Sequence, residues 1–303
     1  MNRTDDLVSR LTSPNQYSRD GHRAPHKPLL VLMALGNLAS EGTSAVEWST
    51  AESQLSELIA EFGPTSATSA AQSAAYPFTR LRSDHVWILN HDVAMDSVTE
   101  LRSQPTVGRF VPELESALKS DPTRLLAVAR SVVSSQFPPS LVADVLSAVG
   151  LDPEQVYSAP GPTATTVVGQ QLLRRSGKWR REVLLSWDNC CAFCGYDGSM
   201  GRAPIAIEAA HVRWFAFSGP DDLDNGLALC SLHHKLLDLG AVGFSDEQTL
   251  IVSQNYSARG AAGRAIYDLH RRQLDPRPGT LLPAAEHVAW HFAEVFKGPA
   301  LAA

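Results

Sequence analysis

Apolar positions in the first 157 residues recur at helical spacing in four places. Pro28 to Leu38 is apolar except at Gly36 and Asn37, which predicts a core helix with Pro28 in its first turn. Thr50 to Phe62 places Leu55, Leu58, Ile59 and Phe62 on one helical face. Pro122 to Ser134 and Ser140 to Val149 read as two further helices, split by Pro138-Pro139. Val86-Trp87-Ile88-Leu89 predicts a short strand. Gly63 to Ser73, rich in Ser, Thr and Ala, reads as a long loop. Later in the chain, Arg180 to Trp187 predicts a helix, Ala206 to Val212 a strand, Leu227 to Leu229 a second short strand, and His233 to Leu239 the start of a helix. The pattern is α+β in two domains: an N-terminal mixed, mostly helical domain and a smaller C-terminal strand–strand–helix unit.

The uncharged run Ser158-Ala159-Pro160-Gly161-Pro162-Thr163-Ala164-Thr165-Thr166 has linker composition. We therefore expect domains at 1–157 and 169–303 with a linker at 158–168, which suits 303 residues. No internal repeat is visible. An apolar content of 44% excludes wholesale disorder. No apolar run reaches membrane-spanning length, and MNRTDDLVSR has no apolar signal region, so no membrane partner and a cytoplasmic location are expected.

The net charge of −6 argues mildly against a nucleic-acid partner, but it is unevenly spread. Residues 1–157 hold 12 basic and 18 acidic side chains, whereas 158–303 hold 14 of each. The sharpest basic stretch is Arg174-Arg175-Ser176-Gly177-Lys178-Trp179-Arg180-Arg181, which suits phosphate contact or a solvated helix start. The four cysteines are Cys190, Cys191, Cys194 and Cys230. Three fall within five residues, a spacing that fits a metal site better than a disulfide framework.

Two interleaved ligand sets can be drawn from this region. Cys191-x2-Cys194 and Cys230-x2-His233 form two close pairs, as a structural Zn2+ cage requires. Cys190 can replace Cys191 as a lesser option. The second set is His211, Asn225 and His234. A neutral imidazole at the end of a strand is a suitable base for water near neutral pH. Asn225 precedes Gly226 in a tight loop, where its amide can bond backbone and hold the loop's shape. His233 and His234 are adjacent and must point in different directions, so one can serve the cage and the other a second metal.

This arrangement resembles the HNH nucleases, whose fold is the ββα-metal motif. The tail of the resemblance runs through Asn225-Gly226-Leu227-Ala228-Leu229-Cys230 and His234-Lys235-Leu236-Leu237-Asp238-x-Gly240, and it covers roughly residues 170–300. It implies His211 as the general base, Asn225 as the middle residue and His234 as a ligand of a catalytic Mg2+, Mn2+ or similar divalent metal. Many HNH enzymes carry Asp directly before the base histidine; here that residue is Ala210. Strand alternation puts Glu208 on the same face, so Glu208 can reach the metal in its place, with Asp224 a weaker candidate.

The N-terminal domain should supply the target. Gly21-His22-Arg23-Ala24-Pro25-His26-Lys27-Pro28 puts basic side chains just before a helix N-terminus, a ready site for phosphate. Tyr76-Pro77-Phe78 lies beside Arg80. Both segments also suit a plain helix start and core packing. Together, Pro25-His26-Lys27-Pro28-Leu29-Leu30 and Tyr76-Pro77-Phe78 resemble the sulfur-binding domain of phosphorothioate-dependent, McrA-type restriction endonucleases. That resemblance implies a partner, double-stranded DNA carrying a phosphorothioate, whose sulfur enters an apolar cavity walled by Tyr76 and Pro77. His22, Arg23, His26, Lys27 and Arg80 would hold the surrounding backbone, and either His-basic pair can be the one that meets the sulfur. One nuclease site nicks one strand, so a double-strand cut predicts a homodimer. Two other functions fit the residues less well: an HNH endonuclease for another mark such as methylcytosine, and a zinc-containing DNA-binding regulator without cleavage.

Overall fold

The computed structural model describes residues 3–12, 25–159 and 167–302, with the backbone alone at 3–4 and 167–176. The chain divides into two compact units, Met1–Thr163 and Ala164–Ala303.

The first unit is built around helix His26–Glu41, in which ten residues, Leu29 to Leu35 among them, are buried. Its near-continuous apolar sequence is explained by neighbours on several sides: helices Ser56–Phe62, Ala70–Arg80, Pro112–Ser120 and Pro122–Gln136 all pack against it. Gly36 permits one close approach, since a Cβ there would lie 1.9 Å from the Val149 carbonyl oxygen. The region read as one helix over 50–62 is helical, but it is assembled from Trp48–Thr50, a π-helical turn Ala51–Leu55 and Ser56–Phe62. Asp121 caps the next long helix by accepting from the Arg124 amide at 3.0 Å, and Pro122 fills its first turn. A three-stranded antiparallel sheet places Val107–Phe110 between Val46–Glu47 and Trp87–Leu89. Edge-to-face contacts chain Trp48, Phe78, Trp87 and Phe110 at centroid distances of 5.4, 5.9 and 5.8 Å, joining this sheet to the helices.

The second unit opens with helix Val167–Ser186, longer at its N-terminal end than the predicted Arg180–Trp187. A tight knuckle follows, in which Gly195 adopts a left-handed φ of 76° and donates to the Cys191 carbonyl at 2.8 Å. Strand Ile207–His211 pairs antiparallel with Gly226–Cys230, in the register Ile207 opposite Cys230 and His211 opposite Gly226. Helix Ser231–Asp238 starts directly after the second strand. These three elements form a ββα unit. The knuckle is pinned to it by the Ala192 amide, which donates to Ala228 O at 2.8 Å. A second hairpin, Val242–Phe244 with Leu250–Val252, and helix Ala285–Glu294 complete the layer behind it. The core of this unit draws on Trp179, Val183, Phe193, Val212, Leu229, Leu237 and Phe244. No described helix is long and apolar enough to cross a membrane.

Candidate functional site

The ββα unit carries two side-chain clusters, and adjacent histidines lead into each. In the first, Cys191 and Cys194 come from the knuckle, Cys230 from the end of the second strand, and His233 from the first turn of the helix. Their ligand atoms all lie within 4.8 Å of one another. His233 Nδ1 is 3.4 Å from Cys191 Sγ and 3.2 Å from Cys230 Sγ. Two thiols and a histidine around a third thiol are a soft, four-donor set that can hold zinc. Burial holds the thiols of Cys191, Cys194 and Cys230 above the usual range and pushes His233 down. Binding a metal there must release thiol protons. Cys190 stands outside the four.

The second cluster surrounds His234, whose side chain is 13% exposed. Its Nδ1 lies 2.7 Å from Glu208 Oε2, and its Nε2 lies 3.1 Å from Asp238 Oδ2. Asp238 sits one helical turn on and also accepts from Trp214 Nε1 at 2.9 Å. Glu208 projects from the facing strand and accepts a second bond, from Ser231 Oγ at 2.7 Å. Burial acts to lower the His234 pKa, but Asp238 and then Glu208 outweigh it and raise it to about 9. The hydrogen bond from His234 takes Glu208 down to about 2. The two carboxylates meet opposite ring nitrogens, so one ion could share His234 Nδ1 with Glu208, an O/N pair suited to Mg2+ or Mn2+, while Asp238 holds Nε2. A metal binding His234 must displace its proton.

His211 ends the first strand, across from Gly226. Its Nε2 lies 3.0 Å from Asp221 Oδ1, and its ring stacks on Trp179 at 3.7 Å with 15° between planes. Gly226 leaves room for this stack, since a Cβ there would lie 2.5 Å from Val183 and 3.2 Å from Trp179. Burial pushes the His211 pKa down and Asp221 only partly offsets it, so the imidazole is neutral around neutral pH and able to accept a proton. Asn225 is fully buried and ties the loop between the strands. Its Oδ1 accepts from the Arg213 amide at 2.8 Å, and its Nδ2 donates to Arg213 O and Pro220 O, both at 3.0 Å. Ala210 is buried in the core.

Three residues in these clusters escaped the sequence reading as site residues: Asp221, Asp238 and Trp179. Asp238 had a local signal, since it follows His234 by four on a predicted helix. Asp221 and Trp179 reach His211 only through the tertiary fold. Of the basic stretch, Lys178, Arg180 and Arg181 are exposed while Trp179 is buried; the side chains of Arg174 and Arg175 lie outside the described residues.

In the first unit, His22 and Arg23 lie outside the described residues. His26 is half-buried in the first turn of its helix. Lys27 donates to the buried Asp84 at 2.6 Å, so its charge is already paired within the protein. Tyr76, Pro77 and Arg80 share helix Ala70–Arg80. Tyr76 is half-buried and Pro77 faces inward, buried. The Arg80 guanidinium lies over the Tyr76 ring, 4.6 Å from its centroid, and Asp96 binds it through both carboxylate oxygens. Of these three side chains Arg80 is exposed, Tyr76 half-buried and Pro77 buried.

Residues 4–154 match the family described as ScoMcrA-like, DNA sulfur-binding domain. Residues 191–245 match the HNH endonuclease family. No curated protein matches the chain. Among solved structures, the sulfur binding domain of ScoMcrA complexed with phosphorothioated DNA is 18% identical, covering 47% of this chain and 97% of that one, with a TM-score of 0.40. The type IV phosphorothioation-dependent restriction endonuclease ScoMcrA is 12% identical, covering 90% and 86%, with a TM-score of 0.39. The modification dependent TagI restriction endonuclease is 21% identical, covering 45% and 41%, with a TM-score of 0.32.

Proposed function

We propose that the chain, with a ScoMcrA-like DNA sulfur-binding domain match over 4–154 and an HNH endonuclease match over 191–245, is an HNH-type restriction endonuclease for phosphorothioated duplex DNA. Residues 1–157 would read the mark and 169–303 would cut, joined by 158–168. Its place of action is the cytosol, where DNA substrate and reduced thiols occur together. The observation that carries this reading is the ββα unit itself. Its strand end, loop and helix start carry His211, Asn225 and His234, which supports an HNH reading, and a match to the sulfur-binding family precedes it in sequence.

The reading domain works by softness and size. Sulfur is larger and less strongly hydrated than oxygen, so a wall of the Tyr76 ring backed by Pro77 favours it over an ordinary phosphate oxygen. Arg80, held over Tyr76, can meet the backbone beside it. His26 and, from the segment before it, His22 and Arg23 are the other candidates for backbone contact. Lys27 has a lesser part here because its side chain is only 15% exposed on a buried Asp84, whereas Arg80, though paired with Asp96, is 52% exposed.

In the nuclease domain, Cys191, Cys194, Cys230 and His233 would hold a structural zinc that fixes the helix start. His234, through Nδ1 and with Glu208, would hold the catalytic Mg2+ or Mn2+, while Asp238 on Nε2 would orient the ring. Such an ion would supply positive charge against the charge that builds on the phosphate. His211 takes the proton of the attacking water. Asn225 keeps the loop beside His211 in shape. Arg180, Arg181 and Arg213 lie on the elements flanking these residues and can hold phosphates. The products are 5′-phosphate and 3′-hydroxyl ends. A double-strand cut needs two such sites, hence a homodimer on the DNA.

The test is cleavage of three otherwise identical duplexes, phosphorothioated, cytosine-methylated and plain, with Mg2+ or Mn2+ and with EDTA. Metal-dependent cutting confined to the phosphorothioated duplex is the expected result. Equal cutting of plain DNA would remove the modification dependence. Cutting of the methylated duplex alone would assign a different mark, and binding without cutting under either metal would make the chain a regulator.

A further inference from the structure

We propose that Asp221 is the positioning residue for His211: its carboxylate fixes the ring so that Nδ1 is the nitrogen presented to the water. This rests on His211 as the base. A histidine at the end of a strand has a broad, roughly two-fold χ2 preference, so on its own it presents either nitrogen. Here the ring is constrained on two fronts. Its face lies on Trp179 at 3.7 Å. Its Nε2 edge meets Asp221 at 3.0 Å. A carboxylate accepts only, so Nε2 must carry the hydrogen and Nδ1 the lone pair.

Both constraints are themselves anchored. Trp179 Nε1 donates to Asp222 O at 3.1 Å, which ties the stacking ring to the loop that carries Asp221. Asn225 Nδ2 donates to Pro220 O, the residue just before Asp221. Asn225 therefore reaches the chemistry through the loop, Asp221 and His211 in turn. In the reaction the water oxygen bonds to phosphorus as the bond from phosphorus to the 3′ oxygen breaks. The water proton passes to His211 Nδ1. The resulting imidazolium keeps its Nε2 hydrogen on Asp221, which stays ionised, and the 3′ oxygen takes a proton from solvent.

The groups around the ring are Trp179 from the long helix, Asp221 and Phe215 from the loop, and, acting through charge, Asp238 and His234 from the second helix. Of these, Asp221 is the largest influence holding the imidazole's pKa up against burial. Its removal therefore has a signature that plain structural damage lacks.

The experiment compares D221N and D221E with H211A in the full chain, on phosphorothioated duplex with Mn2+. It reads kcat, KM, the pH–rate profile, DNA binding and zinc content. D221N is expected to lose about 100-fold in kcat, the scale of a misplaced catalytic group. KM, binding and zinc should hold, and the acid limb of the profile should move to lower pH. D221E should recover part of the rate. A D221N protein with unaltered kcat and profile, beside an inactive H211A, would overturn the role of Asp221 and leave His211 as base. An H211A protein that still cuts would overturn the base reading itself. Should D221N lose its zinc, the profile is read on D221S, where an unmoved acid limb counts against the proposal.

Discussion

His233 and His234 are neighbours on one helix, yet they sit in opposite chemical surroundings. His233 lies among Cys191, Cys194 and Cys230, and burial lowers its pKa. His234 lies between Glu208 and Asp238, and their charge raises its pKa to about 9. A helix turns about 100° per residue, so consecutive side chains are delivered to different neighbours. Strand order does the rest: Cys230 ends one strand, and Glu208 lies one pair in from its partner's start. One helix start thus separates a soft donor set from a hard one, thiols on one side and carboxylates on the other, with no residue shared.

The strongest way to break this contrast is to empty the soft side. His233→Ala or Cys230→Ser should melt the nuclease unit, because structural zinc contributes roughly 10 kcal/mol or more to the folding of small metal domains. Thermal melting with and without added zinc would show it, with phosphorothioate binding by the first unit retained. Next comes the base. His211→Ala should lower the cleavage rate by about 10²- to 10⁴-fold, the range of general-base removal, with DNA binding unchanged in a gel-shift assay.

A milder change sharpens the hard side. Glu208→Gln keeps the shape but removes the charge, and should raise the Mn2+ needed for half-maximal cleavage by roughly 10- to 100-fold. Smaller again is a pH effect. Because His234 must lose its proton to bind metal, Mn2+ affinity should climb as pH rises from 6.5 towards the raised pKa of about 9, then level off. Calorimetric titration across that range checks the slope. Glu208, held near 2, stays ionised throughout and adds no slope of its own.

The sequence brought Cys191, Cys194, Cys230 and His233 together as one candidate set because each pair is local, spaced by three residues, and the structure places their ligand atoms within 4.8 Å of one another. The ββα outline was legible for the same reason: short apolar strands, then a helix that begins at a metal ligand. Asp221 was not legible, because its bond to His211 spans a loop whose shape depends on Asn225. The first unit was harder. The loop expected over 63–73 gives way to helix from Ala70, and the missed signal was Ser69 with Gln72, whose amide donates to the Ser69 hydroxyl. That is half of a capping box at the head of an alanine-rich run. Pro77 reads equally well as wall or core; being inside that helix, it turns inward. Lys27 looked like a phosphate contact, and only the fold reveals Asp84, 57 residues away, as its partner.

If adjacent histidines serve two separate metal centres, losing one of them leaves the other centre filled. Zinc content of purified His234→Ala protein tests it most directly. One zinc per chain, as in the unaltered protein, is the predicted result. A His234→Ala chain without zinc would show that His234 belongs to the cage, and would contradict the division.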